Sequence, residues 1–328
     1  MGIRYLNKFF REECKKSDSI QIISMNQLNG KKIAVDISIY LYKFASDDTL
    51  IENIYLMLSI FRHYNIVPLF VFDGKPPAEK KELLVQRLDE KKKAEKEFNL
   101  LKKNLEYDVN MNEDEKHEII NKMDLLKKKF VHVSRRQIED VKQLIRSYGM
   151  TYCDAPNEAD ELCAMLTIKG VVWACLSEDM DMFIYGCPRV LRYLSLLNHT
   201  FVLYETKKIL NKLNITQDDL REICVISGTD YNVNNDHHNQ HNLFTTLKYF
   251  KKYKKNTVKS GPISFYNWLK ENTNYIEIYD YEMYESDISM FILDTSLERY
   301  ENISIVNTNV MYSDIKEILK KDGFIFPQ

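Results

Sequence analysis

DAPNEADELCAMLTIKGVVWACLSEDMDMFIYG, residues 154–186, sets out two carboxylate pairs, Glu158 with Asp160 and Asp179 with Asp181. Between them lie a short helical pattern, the turn at Gly170 and an apolar run, VVWACLS (171–177), that reads as a buried strand. Acidic side chains repel each other and are costly to desolvate. Two such pairs brought together by one α–β unit need a counter-charge, and a metal ion is the obvious one. The fold and the chemistry therefore turn on whether further carboxylates converge on the same place.

Two do so by position. KKIAVDI (31–37), after the Asn29-Gly30 turn, reads as a strand ending at Asp36. IVPLFVF (66–72) reads as a second strand ending at Asp73, broken by Gly74 and two prolines. A helix is expected over about 49–63, between these strands. Strands alternating with helices imply right-handed crossovers and a mostly parallel sheet, an α/β fold. Ligands bind such sheets outside the carboxyl ends of the strands, where Asp36, Asp73 and Asp179 fall.

The chain has 328 residues, 45% hydrophobic and 29% charged, with a formal net charge of −2. That length can bury a substantial core, and the charge excludes a uniformly basic coat. No stretch approaches the roughly 20 apolar residues of a membrane span. The start, MGIRYLNKFFREECKK, has charges where a signal peptide needs its apolar core. Leu6 stands where a myristoylation motif wants Ser or Thr. Six cysteines without CxxC spacing read as reduced packing residues of an intracellular protein.

Charge is segregated instead. Residues 75–104 hold ten Lys/Arg against six Asp/Glu. Ala94, Phe98, Leu101 and Leu105 recur at helical spacing, as do Ile119, Met123, Leu126 and Phe130. Two long helices are expected to form a basic hairpin inserted after Asp73. Ser134 with Gln137 predicts a capping box at the start of the next helix, which Gly149 ends. VLRYLSL and TFVLYE predict a strand pair around Asn198-His199, and a helix from about Thr216 leads to the turn SGTDYN, with Asp230. The run LKYFKKYKKNTVKS follows, with Lys248, Lys251, Lys252, Lys254 and Lys255 between Tyr249, Phe250 and Tyr253. Basic residues interleaved with aromatics suit a phosphate backbone and base stacking, but an amphipathic helix with core aromatics reads the same way.

Each acid alone has a structural explanation. Asp36 and Asp73 can begin turns, Asn157 can cap a helix whose first turn holds Glu158 and Asp160, and Asp179, Asp181 and Asp230 can be turn residues. Seven acids at one end of a sheet are not explained that way. Carboxylates without His or Cys select Mg²⁺ or Mn²⁺ over Zn²⁺, and two ions suit an in-line phosphodiester displacement. An aspartyl-phosphate phosphatase needs D-x-D, whereas Asp36 precedes Ile37 and Ser38. His237, His238 and His241 lack the partners of a zinc site and read as a solvated loop.

MGI at the start, AVDIS, FVFDGKPP, APNEAD, LSEDMD and SGTDY resemble, in order and spacing, the flap endonuclease family of structure-specific 5′ nucleases. The likeness runs from Gly2 to about Asp230, and the Lys-, Asn- and Tyr-rich composition with its divergent last third is most similar to the poxviral form. The resemblance implies a PIN-like α/β nuclease core over 1–74 and 130–230. A basic helical arch over 75–129 and a helix-hairpin-like DNA-binding region over 231–328 complete it. It implies two Mg²⁺ held by Asp36, Asp73, Glu158, Asp160, Asp179, Asp181 and Asp230, with Asp160 standing where the family has Glu. It places Lys80 and Arg87 on the scissile phosphate, Tyr42 against the base beside it, and Gly2 near the site. Implied substrates are DNA with 5′ flaps or single-strand/duplex junctions, in the host cytoplasm for a poxviral member and in the nucleus otherwise.

Two features depart from the family. Its Gly-x-Gly duplex-binding hairpin has no counterpart between Gly228 and Gly261, so K⁺ binding loses its usual support unless Asn234, Asn235 or Asn239 substitute. KKDGFIFPQ lacks the family's sliding-clamp peptide, so recruitment by that route is not expected. A catalytically weak DNA-binding scaffold is the alternative, which the full set of acids argues against. A small four-acid RNase is a third, opposed by the basic arch and by Asp230.

Overall fold

The computed structural model describes residues 3–76, 80–107, 113–229, 242–257, 264–276 and 280–326. Gly2, Asp230, His237, His238, His241 and the three substitute asparagines lie outside the described residues. α1 (Leu6–Glu13) and β1 (Ile20–Ser24) precede β2 (Lys32–Asp36), α2 (Ser38–Ser46), α3 (Leu50–His63) and β3 (Val67–Phe72). α4 (Lys81–Tyr107) and α5 (Glu113–Lys127) form the insertion. Then come α6 (Arg135–Ser147), β4 (Thr151–Asp154), α7 (Ala159–Ile168), β5 (Ala174–Leu176) and α8 (Asp181–Tyr185). β6 (Arg189–Ser195) and β7 (Thr200–Glu205) are followed by α9 (Thr206–Leu213), α10 (Gln217–Ser227), α11 (Leu243–Thr257), α12 (Phe265–Asn272), α13 (Asp280–Ser289) and α14 (Tyr312–Lys321).

The strands form one sheet in the order β1-β7-β6-β5-β2-β3-β4. From β6 to β4 every pairing is parallel, while β7 runs antiparallel to both its neighbours. Two-residue alternation divides the core. Ile33, Val35, Phe70 and Phe72 face a layer built from α2, α3, α6 and α14; Ala34, Leu69 and Val71 face one built from α1, α7, α8 and α10 to α12. From β2 the chain moves outward through β3 to β4, then returns to β5 on the other side of β2. The sheet therefore reverses its winding between β2 and β5, where open α/β sheets leave a crevice.

The predicted strands and the antiparallel pair are present, but β5 is shorter than 171–177. Val171 and Val172 both donate their amides back to the Leu166 carbonyl (2.9 and 3.2 Å), so the helix end holds them out of the sheet. Short β1 and β4 and helix α2 carry too few residues for a periodic signal. The Ser134–Gln137 capping box forms as expected. In the insertion, Phe98 packs edge-on to Phe130 at 5.3 Å and Lys122 pairs with Glu97, so the two predicted stripes do meet.

The last part of the chain returns to the body. Thr308 donates to the Gly149 carbonyl and Met311 to that of Ser147 (both 2.7 Å), laying an extended strap beside edge strand β4. Gly149 has φ +66°, and a Cβ there would lie 2.5 Å from the Thr308 carbonyl oxygen, so both the turn and the strap require glycine. Beyond the strap, Ile315, Ile318 and Leu319 of α14 join the core. Among the described residues no helix is long and apolar enough to cross a membrane.

Candidate functional site

Asp36 ends β2 and is buried; its Oδ2 accepts from the Ser177 hydroxyl at 2.9 Å and its Oδ1 from the Ser38 amide at 3.3 Å. Ser177 stands at the end of β5, so this bond spans the winding reversal. The same hydroxyl accepts the Asp179 amide at 3.2 Å, and Asp179 Oδ1 accepts the Asp181 amide at 3.0 Å. The 177–181 loop is thus threaded on its own side chains, which turns Ser177 and Asp179 toward Asp36 and the crevice.

On the other side of β2, Asp73 follows β3, and its Oδ1 accepts the Ala159 amide at 2.9 Å. It caps α7 from a different strand, satisfying a first-turn donor and placing negative charge at the helix's positive end. Asn157 does not cap the helix as expected; its amide reaches Glu161 at 3.3 Å, and the N-cap position belongs to Glu158. Gly74 makes the approach possible: its amide donates to the Asn157 carbonyl at 2.6 Å, and a Cβ there would lie 2.1 Å from the Ala155 carbonyl oxygen. Asp73 and Glu158 are thereby locked into one corner.

Lys80, just before α4, is 6% exposed, and its ammonium lies 2.5 Å from Glu158 Oε2. Asp160, also buried, lies in the field of Lys80, Glu158, Asp179 and Asp36; burial drives its carboxyl well above the usual range, with Lys80 opposing and the three acids adding. Burial, then Asp73, then Asp179, push Asp36 up to about 7, against the Ser177 hydrogen bond. Five of the seven expected acids therefore share one neighbourhood, and Asp181, buried at the start of α8, is tied to it through its amide's bond to Asp179. Among the described residues no three of them close into a ready chelating group. They converge in field but not onto a point.

Arg87 lies on α4, about two turns beyond Lys80, and is partly buried. Tyr42 is not the packed core tyrosine of YLYKF; that is Tyr40. Tyr42 is 48% exposed, with the Lys91 ammonium 5.2 Å from its ring centre. Tyr42 therefore presents its ring to the insertion rather than to the core.

The basic run forms α11, and here the two readings separate. Phe250 and Tyr253 are buried against Phe265, and Tyr249 stacks on Tyr275 at 4.4 Å, so these rings are packed against the protein's own aromatics. Lys254 pairs with Asp219 at 2.9 Å, while Lys248, Lys251, Lys252 and Lys255 remain exposed. A cavity of about 530 Å³ beside α10, lined by Asp219, Glu222 and Phe265 among others, includes none of the candidate acids. Sequence reasoning missed Ser177 and the capping role of Asp73. A serine at a strand end carries no signal until its partner strand is known.

Two family models match the chain. The XPG N-terminal domain matches residues 1–94 and the XPG I-region residues 149–230. Flap endonuclease 1 of Glycine max is 31% identical over 252 residues, 70% of this chain and 62% of that protein. The chain belongs to the flap endonuclease family. Flap endonuclease 1 of Methanocaldococcus jannaschii, another relative, is 31% identical over 228 residues, 64% of this chain and 66% of that one. The chain spans about half to two-thirds of the length of the curated relatives it matches. The solved catalytic core of Rad2 in complex with DNA substrate has the same fold, with TM-score 0.62 over 98% of this chain and 94% of that one, at 19% identity. The N-terminal match runs into α4, and the two matched segments together contain Asp36, Asp73, Glu158, Asp160, Asp179 and Asp181.

Proposed function

We propose that this chain is a divalent-metal-dependent, structure-specific 5′ nuclease that hydrolyses DNA at 5′ flaps or single-strand/duplex junctions. The observation that carries the reading is the gathering of Asp36, Asp73, Glu158, Asp160, Asp179 and Asp181 at one winding reversal, with Lys80 among them. The donor set fits Mg²⁺ or Mn²⁺: hard oxygens, no His or Cys, and two buried carboxyls, Asp36 and Asp160, pushed above the usual range by burial first and by neighbouring acids second, a cost that a cation would offset. Those six, with Asp230, would hold one or two ions, which when bound activate water and offset charge on a phosphodiester.

The chain's own groups complete the work. Lys80 would exchange Glu158 for a phosphate oxygen, and Arg87, further along α4, would hold that phosphate two-pronged. Tyr42 offers a ring to an unpaired base, a contact worth about 1–3 kcal/mol in single-strand binding. The exposed α11 lysines would follow duplex phosphates without reading sequence. Relatives named flap endonuclease 1 support the flap substrate and a place in replication, repair or recombination. The resemblance to the poxviral form would put that work in the host cytoplasm.

The test is cleavage of end-labelled 5′-flap, nicked and single-stranded DNA, in Mg²⁺ or EDTA, by the wild type and Asp179→Ala. Metal-dependent incision near the flap base by the wild type alone is expected. Binding without incision by either protein would replace the nuclease with a junction-binding scaffold.

A further inference from the structure

The 177–181 loop has two faces. Ser177 and Asp179 are turned to Asp36, and Asp179 holds the Asp181 amide; Glu178 and Met180 turn the other way, and both end on one side chain. Arg192 on β6 is 6% exposed. Its Nη2 donates to the Glu178 carbonyl at 2.8 Å, Nη1 meets Met180 Sδ at 2.7 Å, and Nε lies 3.5 Å from Glu178 Oε2. Its guanidinium also lies over the rings of Tyr193 and Tyr204, 5.1 and 5.6 Å from their centres.

The backbone is bent to deliver it. The β6–β7 register shifts between Arg192 and Ser195, and Tyr193 sits at φ +52°, a left-handed conformation uncommon for a bulky residue. That bulge turns the Tyr193 amide to Glu178 Oε1 at 2.5 Å, so Glu178 is held by consecutive residues of β6. Bulges re-aim side chains beside active sites, and backbone strain of this kind collects where geometry is over-determined. Asn7 then ties the bulge to α1, donating to the Tyr193 hydroxyl at 2.6 Å and accepting from that of Tyr204 at 2.8 Å.

A buried guanidinium is a poor way to gain stability, since an apolar residue of similar volume often does as well or better. Its forked geometry can hold a carbonyl, a thioether and a carboxylate at once, which a lysine cannot do. We infer that Arg192 is a positioning residue: it clamps the even-numbered face of the 177–181 loop and thereby sets Asp179 and Asp181 for the divalent ion. This rests on the nuclease reading above.

The experiment uses the full chain and variants Arg192→Met, which fills the volume without the fork, and Arg192→Lys, which keeps the charge without it. Three readouts are taken: Mn²⁺ affinity by calorimetry without DNA, the Mg²⁺ concentration for half-maximal cleavage, and flap binding in EDTA. Arg192→Met is expected to weaken Mn²⁺ binding and raise the Mg²⁺ requirement by roughly 10–100-fold, the usual cost of losing a group that orients metal ligands. Arg192→Lys is expected to fall between it and wild type, and EDTA-phase DNA binding to be unchanged in both. Wild-type Mn²⁺ affinity in Arg192→Met, or in Arg192→Lys should the first fail to fold, overturns the clamp. A wild type that neither binds Mn²⁺ nor cleaves overturns the nuclease reading itself.

Discussion

The acid corner and the inserted hairpin lie side by side and are built on opposite terms. The corner is fixed by backbone: strand ends, a capped helix, a serine bridging β2 and β5, and a glycine where nothing larger fits. The hairpin is tied down largely by solvent-exposed charge. Lys127 pairs with Asp48, Lys128 lies 3.9 Å from Asp47, and Lys91 rests on Tyr42. Such exposed pairs contribute about 0–1 kcal/mol and are screened by salt. Metal chemistry tolerates little misplacement, so its ligands stand on the sheet. A polyanion must enter and leave, so the element over it is held by contacts that phosphates can replace.

The strongest challenge to this contrast is Asp179→Ala. If the corner alone performs chemistry, incision falls by more than about 10²-fold while flap binding in EDTA persists. Loss of both together would mean that the corner also carries binding. Next is Gly74→Ala, whose Cβ must displace the β3–α7 connection. It should cost about 1–3 kcal/mol in denaturant melts, with incision reduced as well. A neutral outcome would show that the corner can shift.

The pH dependence of the metal-free protein should come third. Folded Asp36 titrates at about 7, above its unfolded value, so the native state binds the extra proton between the two. Its contribution is therefore full below the unfolded value and lost as pH rises through about 7. Mg²⁺ should accordingly raise Tm more at pH 8 than at pH 6, and an equal rise would remove Asp36 from the metal's field. The smallest effect belongs to the hairpin. Asp47→Ala with Asp48→Ala should leave global Tm nearly unchanged yet speed proteolysis within the hairpin, as should raising salt in the wild type. A large Tm loss would make the hairpin part of the core.

Much of the corner was legible because strand ends are marked twice, by an apolar run that stops and by the acid or glycine that stops it. Asp36 and Asp73 were readable on that ground, and the hairpin from its two apolar stripes. The aromatics of α11 were ambiguous, because a ring spaced for stacking on a base is equally spaced for stacking on Phe265 or Tyr275. Tyr40 and Tyr42 could not be told apart for a similar reason: they lie on nearly opposite faces of a short helix, and its pattern gives no clue to which face meets the sheet.

By itself, then, the sequence determined the alternation of strands and helices, the acids at the strand ends and the basic insertion, since all of these are local patterns of hydrophobicity and charge. Tertiary structure alone decided that Asp73 caps α7, that Ser177 joins β2 to β5, that Arg192 reaches beneath the acid loop and that the strap through Thr308 and Met311 lies against the turn before β4. Each of these is a contact between groups far apart in the chain. Such contacts depend on sheet order, and sheet order is set by the summed burial of many side chains rather than by any short run of residues.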